Sequence, residues 1–307
     1  MFRSMILGIT FNGHKTGVTC LSFDQEGHRL ASGSRDTNII VWDIVNECGL
    51  YRLKGHKGPI TSLSFDNERN VLVSSSKDTL VKFWDLNVQH CFKTLTEHIM
   101  EVWDFILVKD YIVTGTSDAE LRVFKLQYSE TAEANFGNSI EPHMKKLKVL
   151  DEEDENQDDE DQNEFDAGIL KIERVGSLLR QGQDKVAHLV VDSEERLIAC
   201  HGSNDSNVEL FAICSDDEVK KRLQKRAKKE RRKNGSASAN SEATDLPSPT
   251  IQEEFRRLKV FKGPGKIRHM QVSFRKDVAE ILIGKSKKYF SKYSIPNQVL
   301  PSFRNCQ

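Results

Sequence analysis

The sequence predicts an all-β chain built from repeated antiparallel sheets, and three observations carry that reading. The first is a polar set that returns at near-constant spacing. Gly13-His14 recurs as Gly55-His56, 42 residues on, and more weakly as Glu97-His98 after another 42. Trp42-Asp43 recurs as Trp84-Asp85, again 42 on, and Phe124 takes the Trp place 40 residues later. Asp36, Asp78 and Asp118 follow the same steps. The second is texture: each copy divides into short β-branched and apolar runs separated by Gly, Ser, Asp and Asn, as antiparallel meanders require. The third is the period itself, which falls within the ~40–45 residues of one four-stranded propeller blade.

The elements follow in order. In the first copy Leu21 to Phe23 ends one strand, LASGS forms the next, NIIVWD the third after the turn SRDT, and YRLKGH the fourth. Met5 to Phe11 reads as the outermost strand of a blade whose other strands are missing. Residues 1–126 are expected to form blades one to three, and the pattern then breaks. Residues 127–172 read as an insertion in which eleven of the sixteen positions 151–166 are acidic. Like charges at that density repel and bury no core, so this stretch is expected to be disordered. Residues 173–214 return as a degenerate fourth blade. Asp205 falls at the place of Asp78 and Phe211 at that of Trp84; His201 replaces the strand Ser, and Asp184 stands where Gly-His would be. No polar tetrad is expected there.

Residues 215–258 combine a basic helix with a flexible linker. In 220–233 ten of fourteen positions are Lys or Arg, while Val219, Leu223 and Ala227 recur every four residues. Residues 259–295 resemble two or three strands of a degenerate fifth blade, and 296–307 form a tail. Four recognisable blades and a doubtful fifth amount to an incomplete propeller, which would leave strand edges open.

Bulk properties narrow the function classes. Hydrophobic residues make up 37% of the 307 and charged residues 30%, with a formal net charge of −1. No apolar run reaches the roughly 18 residues of a membrane span, and the start lacks a secretory signal pattern. The six cysteines form no CxxC pair or Cys/His cluster with metal-ligand spacing, so reduced thiols and no metal are expected. Nothing matches GxxxxGK[ST] or GxGxxG, so no cofactor and no small-molecule substrate are expected.

His, Ser and Asp within one copy suggest a catalytic triad, and the repeat removes the suggestion. His14, Ser32, Asp36 and Trp42 form one set, and His56, Ser74, Asp78 and Trp84 a second at identical spacing. His98, Thr114 and Asp118 form a third, with Phe124 at the Trp place. An enzyme positions one nucleophile and one base once. A hydrogen-bond chain repeated once per sheet is instead structural, because buried polar groups need partners. In the third set the chain should stop at Thr114, since Phe124 has no donor.

The loops holding each Gly-His and the turns holding each Asp should share one rim. There Lys15, Arg35, Lys57 and Lys77 would form a basic arc, either a contact for RNA phosphate or an acidic partner, or ordinary solvated charge. Lys220, Lys221, Arg222, Lys225, Arg226, Lys228, Lys229, Arg231, Arg232 and Lys233 make a candidate nuclear or nucleolar signal, or else a solvated helix face. The acidic run is an interaction segment or a spacer. Ser248-Pro249 is a low-specificity phosphorylation site. His90, His143, His188 and His269 stand isolated in sequence.

The repeats resemble WD repeats. Beyond the generic motif, LASGSRDTNIIVWDIVNECGLYRLKGHKGPIT, QHCFKTLTEH and RLIACHGSND are similar to the N-terminal propeller of the WD-repeat protein 3 family, whose yeast counterpart is the twelfth U-three-associated protein, Dip-two. The likeness covers most of residues 5–214 and, more weakly, 250–295. It implies a non-catalytic scaffold of the nucleolar small-subunit processome, in its UTP-B module, with other WD-repeat subunits, pre-rRNA and snoRNA as partners. Family members carry two propellers and a helical region, for which this chain has no room, so a fragment or truncated isoform is expected. Two alternatives stand beside it: a generic WD-repeat adaptor outside ribosome biogenesis, and an enzyme, for which no single asymmetric cluster is visible.

Overall fold

The structure, a computed structural model, describes residues 9–129, 169–204, 206–233, 249–262, 267–275, 278–286 and 289–296. The acidic run 151–166, Asp205, His143, Ser248, the linker 234–248 and nearly all of the tail lie outside the described residues. The chain divides into two compact units, one of residues Met1–Leu107 and Leu126–Ile172, the other of Val108–Lys125 and Glu173–Gln307.

The fold class is all-β, and among the described residues the strands form five antiparallel sheets. Sheet 1 holds β1 (Val18–Phe23), β2 (Arg29–Ser34), β3 (Ile39–Asp43) and β4 (Cys48–Leu53) in sequential order. Sheet 2 repeats it with β5 (Ile60–Asp66), β6 (Val71–Ser76), β7 (Val81–Asp85) and β8 (His90–Leu95). Sheet 3 comprises β9 (Val102–Val108), β10 (Tyr111–Thr116), β11 (Glu120–Tyr128) and β12 (Leu170–Leu179). Sheet 4 comprises β13 (Val186–Val191), β14 (Leu197–Gly202), β15 (Asn207–Ile213) and β16 (Phe255–Lys262). Sheet 5 has β17 (His269–Arg275), β18 (Val278–Ser286) and β19 (Tyr289–Pro296). Two helices, α1 (Asp216–Lys233) and α2 (Ile251–Glu254), lie in the chain between β15 and β16.

The hairpins recur with the repeat. Thr37 and Thr79, 42 apart, both take positive φ (68° and 72°), as do Glu47 and Gln89 (55° and 60°). A β-branched Thr is disfavoured there. It is held because the preceding Asp accepts the backbone N–H two residues on, from Asn38 to Asp36 at 3.0 Å and from Leu80 to Asp78 at 3.0 Å.

In the first unit, Ala31, Ile39, Val41 and Leu53 of sheet 1 pack against Ile60, Leu63, Phe65, Leu72, Trp84 and Leu86. Each fully buried aliphatic or aromatic side chain contributes about 1.5–3 kcal/mol. Close approach fixes Gly33: a Cβ there would stand 2.6 Å from Cys20 Sγ and Ile60 Cγ2. Thr19 Oγ1 donates to the Ile60 carbonyl at 2.6 Å, and Thr61 Oγ1, 42 residues on, to that of Val102 at 2.7 Å. These bonds tie the first strands of sheets 1 and 2, and of sheets 2 and 3, at equivalent points. In the second unit, Leu197, Ala199, Val208 and Leu210 of sheet 4 pack against Ile267, Met270, Val272, Ile281 and Ile283.

Among the described residues Cys20, Cys48, Cys91, Cys200 and Cys214 form no disulfide. Burial pushes the Cys20 and Cys200 thiols up to about 12, so both are poor nucleophiles. No described helix is long and apolar enough to cross a membrane.

Candidate interaction surface and the polar networks beneath it

In sheet 2 the repeated residues meet as one chain of bonds. The Trp84 indole N–H donates to Ser74 Oγ at 2.8 Å. Ser74 Oγ lies 2.8 Å from His56 Nε2, and His56 Nδ1 lies 2.8 Å from Asp78 Oδ2. With the carboxylate as acceptor, Nδ1 carries the ring proton, and the Ser74 hydroxyl donates to Nε2. Ser74 is fully buried, as is the His56 side chain. The Asp78 carboxylate also accepts the backbone N–H groups of Lys57 (2.9 Å) and Leu80 (3.0 Å). Burial opposes its ionisation, but the His56 hydrogen bond and these two amides prevail and hold its pKa at about 2.

Sheet 1 has the same arrangement. Trp42 donates to Ser32 Oγ at 2.7 Å, which lies 2.7 Å from His14 Nε2. His14 Nδ1 lies 3.0 Å from Asp36 Oδ2, and Lys15 N donates to the same oxygen at 2.8 Å. Burial opposes the charge on Asp36 as well, and the amides of Lys15 and Asn38 with His14 lower its pKa.

The third set divides between the units: buried His98 in the first, Thr114 and Asp118 in the second. Asp118 has other neighbours within its own unit. Its Oδ2 accepts from Arg122 Nη2 at 2.6 Å, and its Oδ1 from Thr116 Oγ1 at 2.5 Å. Thr114 Oγ1 donates to the Arg122 carbonyl at 3.4 Å.

Sheet 4 corrects the sequence alignment. His201 pairs with His188, and Cys200 with Leu189, just as Ser74 pairs with Leu63. The place of the tetrad Ser is therefore held by Cys200, not His201. The innermost pair of the β14–β15 hairpin, His201 with Val208, encloses residues 202–207, one more than the 76–80 enclosed by Ser75 and Val81 between β6 and β7, which displaces any linear alignment across it. The sheet has a buried ion pair that motif reading misses. Glu209, opposite Cys200, accepts the backbone N–H groups of Gln181 (2.8 Å) and Gly182 (2.9 Å). Arg180 lies 3.9 Å from it and donates to the Asp184 carbonyl at 2.8 Å. Both side chains are almost wholly buried. The only signal in sequence is an Arg and a Glu at positions where no other copy has that pair.

His188 and His269 are not isolated as their sequence positions suggest. The His188 ring centroid lies 5.3 Å from that of His201 and 6.1 Å from that of His269, because β13, β14 and β17 bring the three together. No group of three or more His, Cys, Asp or Glu among the described residues has metal-binding geometry.

Above the first two networks lie the basic residues of the first unit. Lys15, Arg35 and Lys57 are exposed. The backbone N–H of Lys15 and of Lys57 is tied to the Asp of its own network, which fixes where each side chain leaves the loop. Lys77 is half-buried, its Nζ 4.1 Å from the Trp103 ring centre, a cation–π contact that holds the charge at the surface.

In the second unit α1 spans the basic run. Asp216, Asp217 and Glu218 in its first turn complement the helix dipole. Leu223 is buried; Arg222 donates to the Glu253 carbonyl at 3.0 Å, and Arg226 Nη1 lies 3.2 Å from the Glu253 carboxylate. Lys220, Lys221, Lys225, Lys228 and Lys229 are exposed. The run thus has an anchoring face and a solvent-facing lysine face. Arg231, Arg232 and Lys233 complete the helix.

Four-stranded sheets recurring with a His–Ser–Asp–Trp bond chain define the fold of a WD-repeat β-propeller. Residues 2–126 match the family model described as the WDR3 first beta-propeller domain. The chain is 45% identical over 137 residues to the mouse WD repeat-containing protein 3, covering 42% of this chain and 14% of the relative. It is 46% identical over 54 residues to the human protein of that name, covering 18% and 6%. It is 44% identical over 45 residues to an Arabidopsis thaliana Notchless protein homolog, covering 15% and 10%. The chain thus spans a small part of each relative's length. Among solved structures, a chain of a mitotic checkpoint complex superposes with a TM-score of 0.57 at 15% identity, covering 93% of this chain and 66% of that one. That likeness concerns the fold.

Proposed function

We propose that the chain is a non-catalytic scaffold of the nucleolar small-subunit processome, in its UTP-B module, supporting pre-rRNA processing and small ribosomal subunit biogenesis. The observation that carries this reading is the WDR3 first beta-propeller match over residues 2–126. In this reading the bond chains keep sheets 1 and 2 rigid, while Lys15, Arg35, Lys57 and Lys77 meet pre-rRNA or snoRNA phosphate, or an acidic segment of another WD-repeat subunit. The lysine face of α1 directs the chain to the nucleus and nucleolus. The repetition of the His–Ser–Asp set supports a structural role for it rather than a catalytic one.

Crosslinking and mass spectrometry on the tagged chain recovered from nucleoli test the proposal. Expected are crosslinks to other WD-repeat processome subunits, with pre-rRNA and snoRNA co-purifying. Recovery in cytoplasmic complexes free of both RNAs would favour a general WD-repeat adaptor and overturn the assignment.

A further inference from the structure

In the second unit a cavity of about 210 Å³ opens between the start of β10 and the two helices. Its apolar lining comes from buried Ile213 and Phe255 and from half-buried Val219. Tyr111 and Glu254 also line it, the Tyr111 ring standing edge-on to Phe255 with centroids 5.7 Å apart. A cavity of roughly 150 Å³ holds a benzene-sized molecule, so there is room here for one side chain of that bulk.

Glu254 is 8% exposed, and its two oxygens differ. Oε1 accepts the Tyr111 hydroxyl at 2.5 Å, while Oε2 is buried and accepts no hydrogen bond. A buried carboxylate oxygen without a donor is costly. Lys125 and Lys109 are near enough to favour the charge, yet burial still raises the Glu254 carboxyl pKa above its ordinary value. Burial raises the Tyr111 phenol as well, so it stays protonated and remains the donor to Oε1. What Oε2 lacks is a cationic donor. With Oε1 taken, one oxygen is left, which suits the point charge of an ammonium better than a two-pronged guanidinium. The apolar walls suit the aliphatic stem of a lysine.

The exposed lining has the opposite charge preference. Lys109, Asp216 and Lys220 stand at the mouth. The Lys109 backbone N–H donates to Glu195 at 2.9 Å, and its Nζ lies 3.7 Å from Asp216. Two lysines against one aspartate repel a free polyamine and attract carboxylates that flank an entering residue. We propose that this cavity takes a lysine side chain of a partner polypeptide, its ammonium on Glu254 Oε2 and its acidic neighbours on Lys109 and Lys220. The site is independent of the processome reading and holds whatever complex the partner belongs to.

The test titrates a fluorescein-labelled peptide, Gly-Glu-Glu-Lys-Glu-Glu-Gly, with the full chain and follows fluorescence anisotropy. The lysine peptide should bind about ten-fold or more tighter than its norleucine form, as one charged hydrogen bond implies, and tighter than its arginine form. Glutamines in place of its glutamates should weaken binding, and spermidine should not displace it. In the protein, Val219→Phe fills the cavity and leaves both members of the Tyr111–Glu254 bond in place. That variant and Glu254→Gln should each weaken binding by about ten-fold or more, with thermal melts showing that both fold. The peptide substitutions use the parent chain, so a variant that fails to fold leaves the test intact. No binding, equal affinity for the norleucine form, a tighter arginine form or displacement by spermidine overturns the proposal, as does unchanged affinity in a folded Val219→Phe chain.

Discussion

Asp78 Oδ2 lies 2.8 Å from Nδ1 of His56, whose ring is sealed from solvent, and both residues are held from behind by backbone amides and a buried serine. The pair ties the turn between β6 and β7 to the loop before β5. Its carboxylate sits at about 2, below its ordinary 3.8. A depressed carboxylate contributes stability that is complete above pH 4 and lost as pH falls through the folded value. Thermal melts should therefore drop between pH 4 and pH 2. Asp78→Asn should flatten that part of the profile, and Asp78→Ala should cost ~1–3 kcal/mol at neutral pH by stranding buried donors. A melting profile flat down to pH 2 in the parent chain would contradict the pairing.

Thr79 is a β-branched residue at φ 72°. Gly meets no steric penalty there, whereas Pro, confined to φ near −65°, cannot adopt the turn. Thr79→Gly should leave stability unchanged or raise it by up to about 1 kcal/mol, and Thr79→Pro should lower it by ~3 kcal/mol. Denaturant midpoints of the two variants, expected to move in opposite senses or by very different amounts, check this.

Arg180 and Glu209 form a buried pair in which the carboxylate is further held by two backbone amides. Removing Arg180 leaves the buried Glu209 carboxylate to the two amides and to the more exposed Arg257, 3.7 Å away, so Arg180→Met should cost up to about 3–5 kcal/mol. The double variant Arg180→Met with Glu209→Gln should recover much of that loss. Urea unfolding of the single and double variants gives the coupling; additive losses would show that the two side chains act independently.

The exposed lysines of α1 separate from its anchoring residues. Replacing Lys220, Lys221, Lys225, Lys228 and Lys229 by Gln, with Leu223, Arg222 and Arg226 kept, should leave the melting temperature within about 2 °C and abolish nucleolar accumulation of the tagged chain. Unchanged nucleolar fluorescence would remove the helix from the targeting role.

Much of the architecture is legible in the sequence, because a repeated sheet writes its turn, strand and polar residues at one period. The sets around His14 and His56, with Ser32, Ser74, Trp42 and Trp84, are visible in the chain at identical spacing, as is the helix from the recurrence of Val219, Leu223 and Ala227. Sheet 4 differs from the linear reading at Cys200 because an alignment anchored on Phe211 carries the extra hairpin residue back onto β14 and places His201, one residue too far along, at the Ser site; only strand pairing corrects it.

Periodicity alone determined that this chain repeats one antiparallel sheet and one polar bond chain, since side-chain alternation and turn chemistry are local. The tertiary structure alone decided which equivalent residues differ. It set the burial of Leu63 against the exposure of Leu21, substituted Arg180 and Glu209 for a histidine network, and gathered His188, His201 and His269. Each depends on which neighbouring sheet approaches, and burial and pairing across sheets are properties of three-dimensional proximity that no local stretch of sequence carries.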